Sequence, residues 1–150
     1  MTELVLVKTD QVYDYCLQLC DILFDRFNKE YALRLSSNYD SDYSKKRYES
    51  IKNGTANLMR FVVTKGRKYF KITSQEYDTF QDRNEYKEGS VNCFVDKNTG
   101  AVYKPASYNA PHTKHIRYNL LDEDSRAECL LRADWSGGYL YLRWWIYLLS

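Results

Sequence analysis

Residues 90–119 read S-V-N-C-F-V-D-K-N-T-G-A-V-Y-K-P-A-S-Y-N-A-P-H-T-K-H-I-R-Y-N. Val91, Cys93 and Val95 alternate with Asn92, Phe94 and Asp96, a period of two with one mainly apolar face. The run then meets Asp96-Lys97-Asn98-Thr99-Gly100. Asp and Asn bond their own backbone in turns, and Gly supplies a positive φ without a Cβ clash. A short loop with its Gly placed late is the bulged type of hairpin. The return strand is expected over residues 101–104. Pro105 lacks an N–H, so it ends that ladder or forces an edge. Residues 106–117 have no apolar period and are expected to form an extended loop.

Upstream, residues 57–65 read as a strand with Met59, Phe61 and Val63 on one side and Arg60 on the other. Lys65-Gly66 gives a turn. Residues 68–73 return, with Phe70 and Ile72 inward and Tyr69 and Lys71 outward. Residues 75–89 are polar and acidic without clear period and are expected to be a long loop. Downstream, Asp122 opens a carboxylate-rich first turn suited to a helix N-terminus. Ala127, Leu130 and Leu131 are the expected core stripe of that helix, and Gly137-Gly138 its stop. Residues 139–142 alternate like a final strand.

The N-terminal part is helical by pattern. Residues 4–7 look like a short edge strand, and Asp10 is a candidate N-cap. Val12, Cys16, Leu19, Cys20, Leu23 and Phe27 then recur at spacings of three and four, with Tyr31 continuing the stripe to about Leu33. Residues 36–41 are turn chemistry. A weaker helix is expected over residues 44–53, with Gly54 as its terminator. Its first turn holds Lys45-Lys46-Arg47, which opposes the helix dipole and makes better sense beside an anion or an acidic segment.

Together these elements predict an α+β fold. An antiparallel sheet of consecutive hairpins packs against an N-terminal helix and a shorter C-terminal helix. One domain is expected over residues 1–150, divided into a helical part (1–55), hairpins (56–104), a basic and aromatic loop (105–121), and a helix with an aromatic tail (122–150).

Fifteen tyrosines are many for a chain of 150 residues. Tyr packs as an apolar body with a polar tip, so it suits a surface that is also a contact. The net charge of +2 conceals a pattern. Residues 34–74 carry ten cations against three acids, and residues 91–118 carry four against one. The three remaining segments are net acidic. A segregated field can hold a polyanion even when the net charge is near zero.

Four cysteines, Cys16, Cys20, Cys93 and Cys129, are too few and too scattered for a disulfide scaffold. Free thiols in a reducing cytosol are expected, with no signal peptide. Cys16 and Cys20 stand four apart, the spacing of a packed stripe. A zinc site would pair them with His112 and His115, whose separations do not suit zinc, so no metal and no cofactor is expected. His112 and His115 are candidate bases, and Lys104 and Cys93 candidate nucleophiles. No phosphate loop, nucleophile elbow or paired-acid motif accompanies them. The chain therefore reads as non-enzymatic.

A binding surface fits better. Tyr103, Lys104, Tyr108, Lys114, Arg117 and Tyr118 interleave planes with cations, and Lys68 and Lys71 extend the set if the hairpins are adjacent. Such a face suits the bases and phosphates of a nucleic acid or nucleotide. Tyr, Trp and Arg are also favoured at protein interfaces. The alternative is a protein partner, met by the same surface or by the aromatic run Trp144-Trp145-Ile146-Tyr147-Leu148-Leu149. That run is a candidate homo-oligomer contact, and with Arg143 before it is too short to span a bilayer.

The run F-V-D-K-N-T-G-A-V-Y-K-P-A-S-Y at residues 94–108, followed by Pro111 and then Arg117-Tyr118-Asn119, resembles a family of small uncharacterised proteins of tailed bacteriophages. Members carry a run similar to F-[IV]-D-x-x-T-G-x-[VI]-Y-K-P-A-S-W, then A-P-A-K, then an Arg. Gly66-Arg67-Lys68-Tyr69-Phe70-Lys71-Ile72 and Arg132-Ala133-Asp134-Trp135 extend the likeness. The chain differs at Tyr108, where Trp is usual, and at His112-Thr113-Lys114-His115, where a shorter A-K is usual. The resemblance implies a viral origin and a small accessory protein of the host cytoplasm. Such a protein would be a nucleic-acid binder or, alternatively, a host-enzyme inhibitor or virion component.

Overall fold

The computed structural model describes residues 3–37 and 41–141, with side chains from residue 8 onward. The order is α1 (Glu3–Ser37), α2 (Asp42–Lys52), β1 (Arg60–Lys65), β2 (Tyr69–Asp78), β3 (Glu85–Asp96), β4 (Ala101–Tyr103), β5 (Pro105–Ser107), β6 (Ala110–Pro111), β7 (Tyr118–Asn119) and α3 (Glu123–Arg132). The fold is α+β. A five-stranded antiparallel sheet runs β1-β2-β3-β4-β7, and β5 and β6 form a separate ribbon.

The apolar stripe of α1 decides how it packs. Val12, Cys16, Leu19, Cys20 and Leu23 are all buried, and they meet Phe61, Phe70, Ile72, Cys93, Val95 and Val102 of the sheet. Cys129 and Ala133 at the end of α3 close the same core. The spacing of three and four in α1 and of two in the strands thus supply one continuous interior. Arg26 of α1 ties the layers together. Its guanidinium donates to the carbonyls of Leu130, at 2.9 Å, and Ala133, satisfying the open end of α3.

Several expectations need correction. Residues 4–7 are not an edge strand, because α1 begins at Glu3 and Asp10 is an exposed mid-helix residue. Helical propensity is too weak a prior to separate a short apolar run from the helix it continues into. Residues 75–89 are not a long loop. They extend β2 and β3 into a hairpin arm paired from Gln75↔Glu88 to Asp78↔Glu85. The arm carries one half-buried ring pair, Tyr77 on Tyr86 at 5.2 Å, among polar residues, too little to mark an apolar alternation. Its turn uses three non-glycine residues at positive φ, Gln81, Asp82 and Asn84. The Asp78 carboxylate accepts from the Phe80 N–H at 3.0 Å and from Arg83 at 3.3 Å, and the Phe80 bond holds its pKa below the ordinary value.

The central hairpin forms as its residues dictate. The Asp96 carboxylate accepts from the N–H of Asn98 at 2.8 Å and of Thr99 at 3.0 Å, and Gly100 takes φ +77°. Pro105 ends the main ladder but starts the β5–β6 ribbon, so residues 106–117 are not a featureless loop. The ribbon closes where the His112 N–H donates to the Lys104 carbonyl at 2.7 Å. Asp122 caps α3 through the Ser125 N–H at 3.0 Å. The core stripe of α3 is Cys129 and Ala133 rather than the exposed Ala127 and Leu131, and the helix ends at Arg132, before the glycine pair. Residues 138–140 make a 3-10 turn in place of a strand. The buried Asn92 amide pins this segment, donating to the carbonyls of Asp134 and Trp135 and accepting from Tyr139 at 2.7 Å. Leu142, the aromatic tail and Asn38-Tyr39-Asp40 of the inter-helix turn lie outside the described residues.

Candidate functional site

Register assembles the first group of surface residues. Thr64 pairs with Lys71, Lys71 with Phe94, and Phe94 with Tyr103. Residues directly opposite in antiparallel strands share a face, so these four form one cross-strand row. The opposite face carries Phe70, Val95 and Val102 against α1. The row therefore lies on the outer face of the sheet. Tyr69, two residues from Lys71, meets both Phe94 and Tyr103 edge-on, with centroids 6.2 Å away in each case. Lys68 holds its ammonium 5.5 Å from the Tyr69 ring.

The β5–β6 ribbon folds beside β3, and Phe94 of this row is buried. It also delivers Tyr108. The Lys71 ammonium sits 3.9 Å from the centre of the Tyr108 ring and 3.4 Å from the Tyr108 carbonyl. The Tyr108 hydroxyl donates to Glu88, which raises the phenol pKa. Tyr103 is raised too, chiefly by burial. Lys68, Lys71, Tyr103 and Tyr108 thus share one face, with Tyr69 as a member that the sequence does not single out. Its signal is present all the same, since the alternation sends Tyr69 outward with Lys71.

The other four candidates go elsewhere. Tyr118 pairs with Val102, one residue before Tyr103, and so faces the opposite side. It stacks on Tyr139 at 6.0 Å, and its hydroxyl donates to the Tyr139 carbonyl at 3.1 Å. Arg117 donates to the carbonyls of Leu140 at 2.6 Å and His115 at 3.0 Å. Lys104 lies 4.7 Å from the Tyr141 ring. Lys114 is exposed in the turn after His112. Lys104 and Arg117 thus meet Tyr141 and Leu140, neighbours in the chain, whereas Tyr108 meets Lys71 and Glu88. Arg117 and Tyr118 hold residues 139–140 against the sheet edge.

The chain matches the model of a family of unknown function, DUF7717, over residues 6–142. The chain belongs to this DUF7717 family. The matched stretch runs from the first turn of α1 through Leu142, so both faces of the sheet and all the surface groups above lie within it. No match was found among the curated proteins or among the solved structures.

Chemistry at the cysteines is set by burial. All four thiols are free and buried in the shared core. Burial pushes Cys20 and Cys129 up to about 12 and Cys16 and Cys93 higher still. A thiol held protonated is a poor nucleophile, which removes Cys93 as a candidate. No cluster of metal-ligating side chains occurs among the described residues. No described helix is long and apolar enough to cross a membrane.

A second arrangement is invisible in the sequence. Phe27, Tyr31 and Arg34 of α1, Arg47 of α2, Leu58 and Tyr77 face a cleft of about 340 Å³, with Trp135 on its rim. Phe27, Tyr31 and Arg34 are at helical spacing, yet Phe27 and Tyr31 read as the plain continuation of a core stripe. Nothing local announces that Trp135, more than 100 residues on, meets them.

Proposed function

We propose that the outer face of the sheet binds single-stranded nucleic acid or a nucleotide. Tyr69, Tyr103 and Tyr108 offer rings to bases, and Lys68 and Lys71 meet phosphates. The cross-strand row through Lys71, Phe94 and Tyr103 is the observation that supports this reading. Interleaved rings and ammonium groups suit a ligand that stacks and is negatively charged. The nearby carboxylates are already engaged: Asp96 in its own turn and Glu88 with Tyr108. The function is binding rather than catalysis. The resemblance of residues 94–108 to tailed-phage proteins supports a viral accessory role in the host cytoplasm.

The test is anisotropy of labelled single-stranded DNA and RNA across a salt series. Lys68→Ala with Lys71→Ala should leave the fold intact and reduce the salt slope by about one unit for each phosphate no longer neutralised. Tyr69→Ala should weaken binding by about 1–3 kcal/mol, the worth of one stacked base. A wild-type protein that binds neither polymer at low salt ends the nucleic-acid reading and leaves the face to a protein partner.

A further inference from the structure

The cleft beside Trp135 has the chemistry of a small-ligand site. Its volume of about 340 Å³ lies at the lower end of the range for ligand pockets, roughly 300–1,000 Å³. Phe27 and Tyr31 stand one helical turn apart on α1, with rings stacked at 5.7 Å and 9°. Trp135 meets Phe27 edge-on, also at 5.7 Å, with planes at 80°. The three rings make a corner against which a flat ligand can lie.

Two guanidinium groups border that corner. Arg34 sits 5.7 Å from the Trp135 ring and pairs with Glu30 at 3.7 Å. Glu30 in turn accepts from the Trp135 indole N–H at 2.6 Å. Arg47 sits 5.7 Å from the Tyr31 ring. Its Nε donates to the Tyr31 hydroxyl at 3.2 Å, and a terminal nitrogen donates to the Asn57 carbonyl at 3.4 Å. Arg47, already held by Tyr31 and Asn57, loses little freedom on meeting a phosphate. Arg47 belongs to the Lys45-Lys46-Arg47 run, whose position in the first half of α2 favours a neighbouring anion. Met59 adds an apolar wall, and Glu76 and Asn57 complete the lining with an acceptor and an amide. A carboxylate there can take the amino edge of a base.

We propose that this cleft is a binding site for a nucleoside monophosphate, with the base on Tyr31 and Trp135 and the phosphate between Arg34 and Arg47. The site shares no lining residue with the outer-face patch and does not rest on that reading.

The experiment is calorimetric titration of the full chain with AMP, GMP, CMP and UMP, with adenosine and inorganic phosphate as controls. At least one monophosphate is expected to bind, more tightly than either control. Arg34→Gln with Arg47→Gln should weaken it at least about tenfold, because charge-assisted contacts to phosphate are the strong ones. Arg34→Gln alone, a change at a mostly exposed side chain, should weaken it several-fold with an unchanged melting temperature, which guards against a double variant that misfolds. Lys68→Ala with Lys71→Ala should leave the affinity unchanged. The proposal is overturned if no monophosphate binds at about 1 mM, a ceiling that corresponds to very weak affinity. It is also overturned if adenosine binds as tightly, or if the arginine variants bind like the wild type. Loss of binding in the lysine variant would overturn it as well, and would place the nucleotide on the outer face instead.

Discussion

Two glycines allow the backbone strain of the central hairpin to be separated from its packing. Gly100 has φ +77° and Gly54, after the end of α2, has φ +74°. A side chain at such a φ costs an L-residue about 1–2 kcal/mol. The surroundings of the two differ. A Cβ on Gly54 would meet nothing within 4 Å. A Cβ on Gly100 would lie 2.9 Å from Leu121 Cγ, 3.0 Å from the Leu121 nitrogen and 3.0 Å from Asn119 Oδ1. The Asn119 oxygen already accepts from the Leu121 N–H at 2.8 Å, and the Gly100 carbonyl accepts from Leu120, so the atoms it would meet belong to a tied loop. Overpacking of this kind costs a further amount of about 1–3 kcal/mol. Gly54→Ala should therefore lose only the φ term, and Gly100→Ala about 2–5 kcal/mol in total. At roughly 2–4 °C per kcal/mol for a chain of this size, Gly100→Ala should melt several degrees below Gly54→Ala. Urea unfolding followed by circular dichroism gives both values at one temperature. Equal losses for the two variants would refute the steric part, and an unchanged Gly100→Ala would refute the turn itself.

Three further outcomes follow from groups that the fold has drawn inward. Arg117→Ala should destabilise the protein by about 1–3 kcal/mol, because it leaves the carbonyls of Leu140 and His115 without their donor; a urea midpoint equal to that of the wild type would show Arg117 to be a plain surface cation. The four core thiols should be slow towards a thiol reagent in the native protein and fast in denaturant. They should also make stability fall with alkali. Below the ordinary thiol value of 9.0 both states hold their protons, whereas from there up to about 12 the unfolded chain releases them and the native core keeps them. Each buried thiol then contributes a loss of up to about 1.4 kcal/mol per pH unit. A stability profile flat from pH 9 to 11 would count against the buried cluster.

Legibility followed the reach of each signal. The turn at Asp96 to Gly100, the cap at Asp122 and the stop at Gly54 use chemistry that acts within four residues, and all three stand in the structure. The stripe on α1 and the alternation of β1, β2 and β3 are also readable, because burial against one core imposes a period. The arm at residues 75–89 is not, since one half-buried pair, Tyr77 and Tyr86, among polar residues is too short to show a period. Nor is the convergence of the cysteines. Scattered in sequence, they come together because α1, β3 and α3 each present one buried thiol-bearing face to the same interior.

The working surface divides for a related reason. Cations and aromatics that are close in sequence need not share a face where the chain is a strand. Residues 101–103 and 118–119 are instead strands, and a strand sends successive side chains to opposite faces. Tyr103 therefore goes outward with Lys71, while Tyr118, paired with Val102, goes inward to Tyr139. The same parity brings in Tyr69 and Lys71 from a different hairpin. A basic and aromatic composition locates such a set only to within one sheet, and the pairing register decides which of its members share a face. The cleft at Trp135 makes the complementary point. Its rings and guanidinium groups come from α1, α2, β2 and the loop after α3, and only the packing of those layers makes them neighbours.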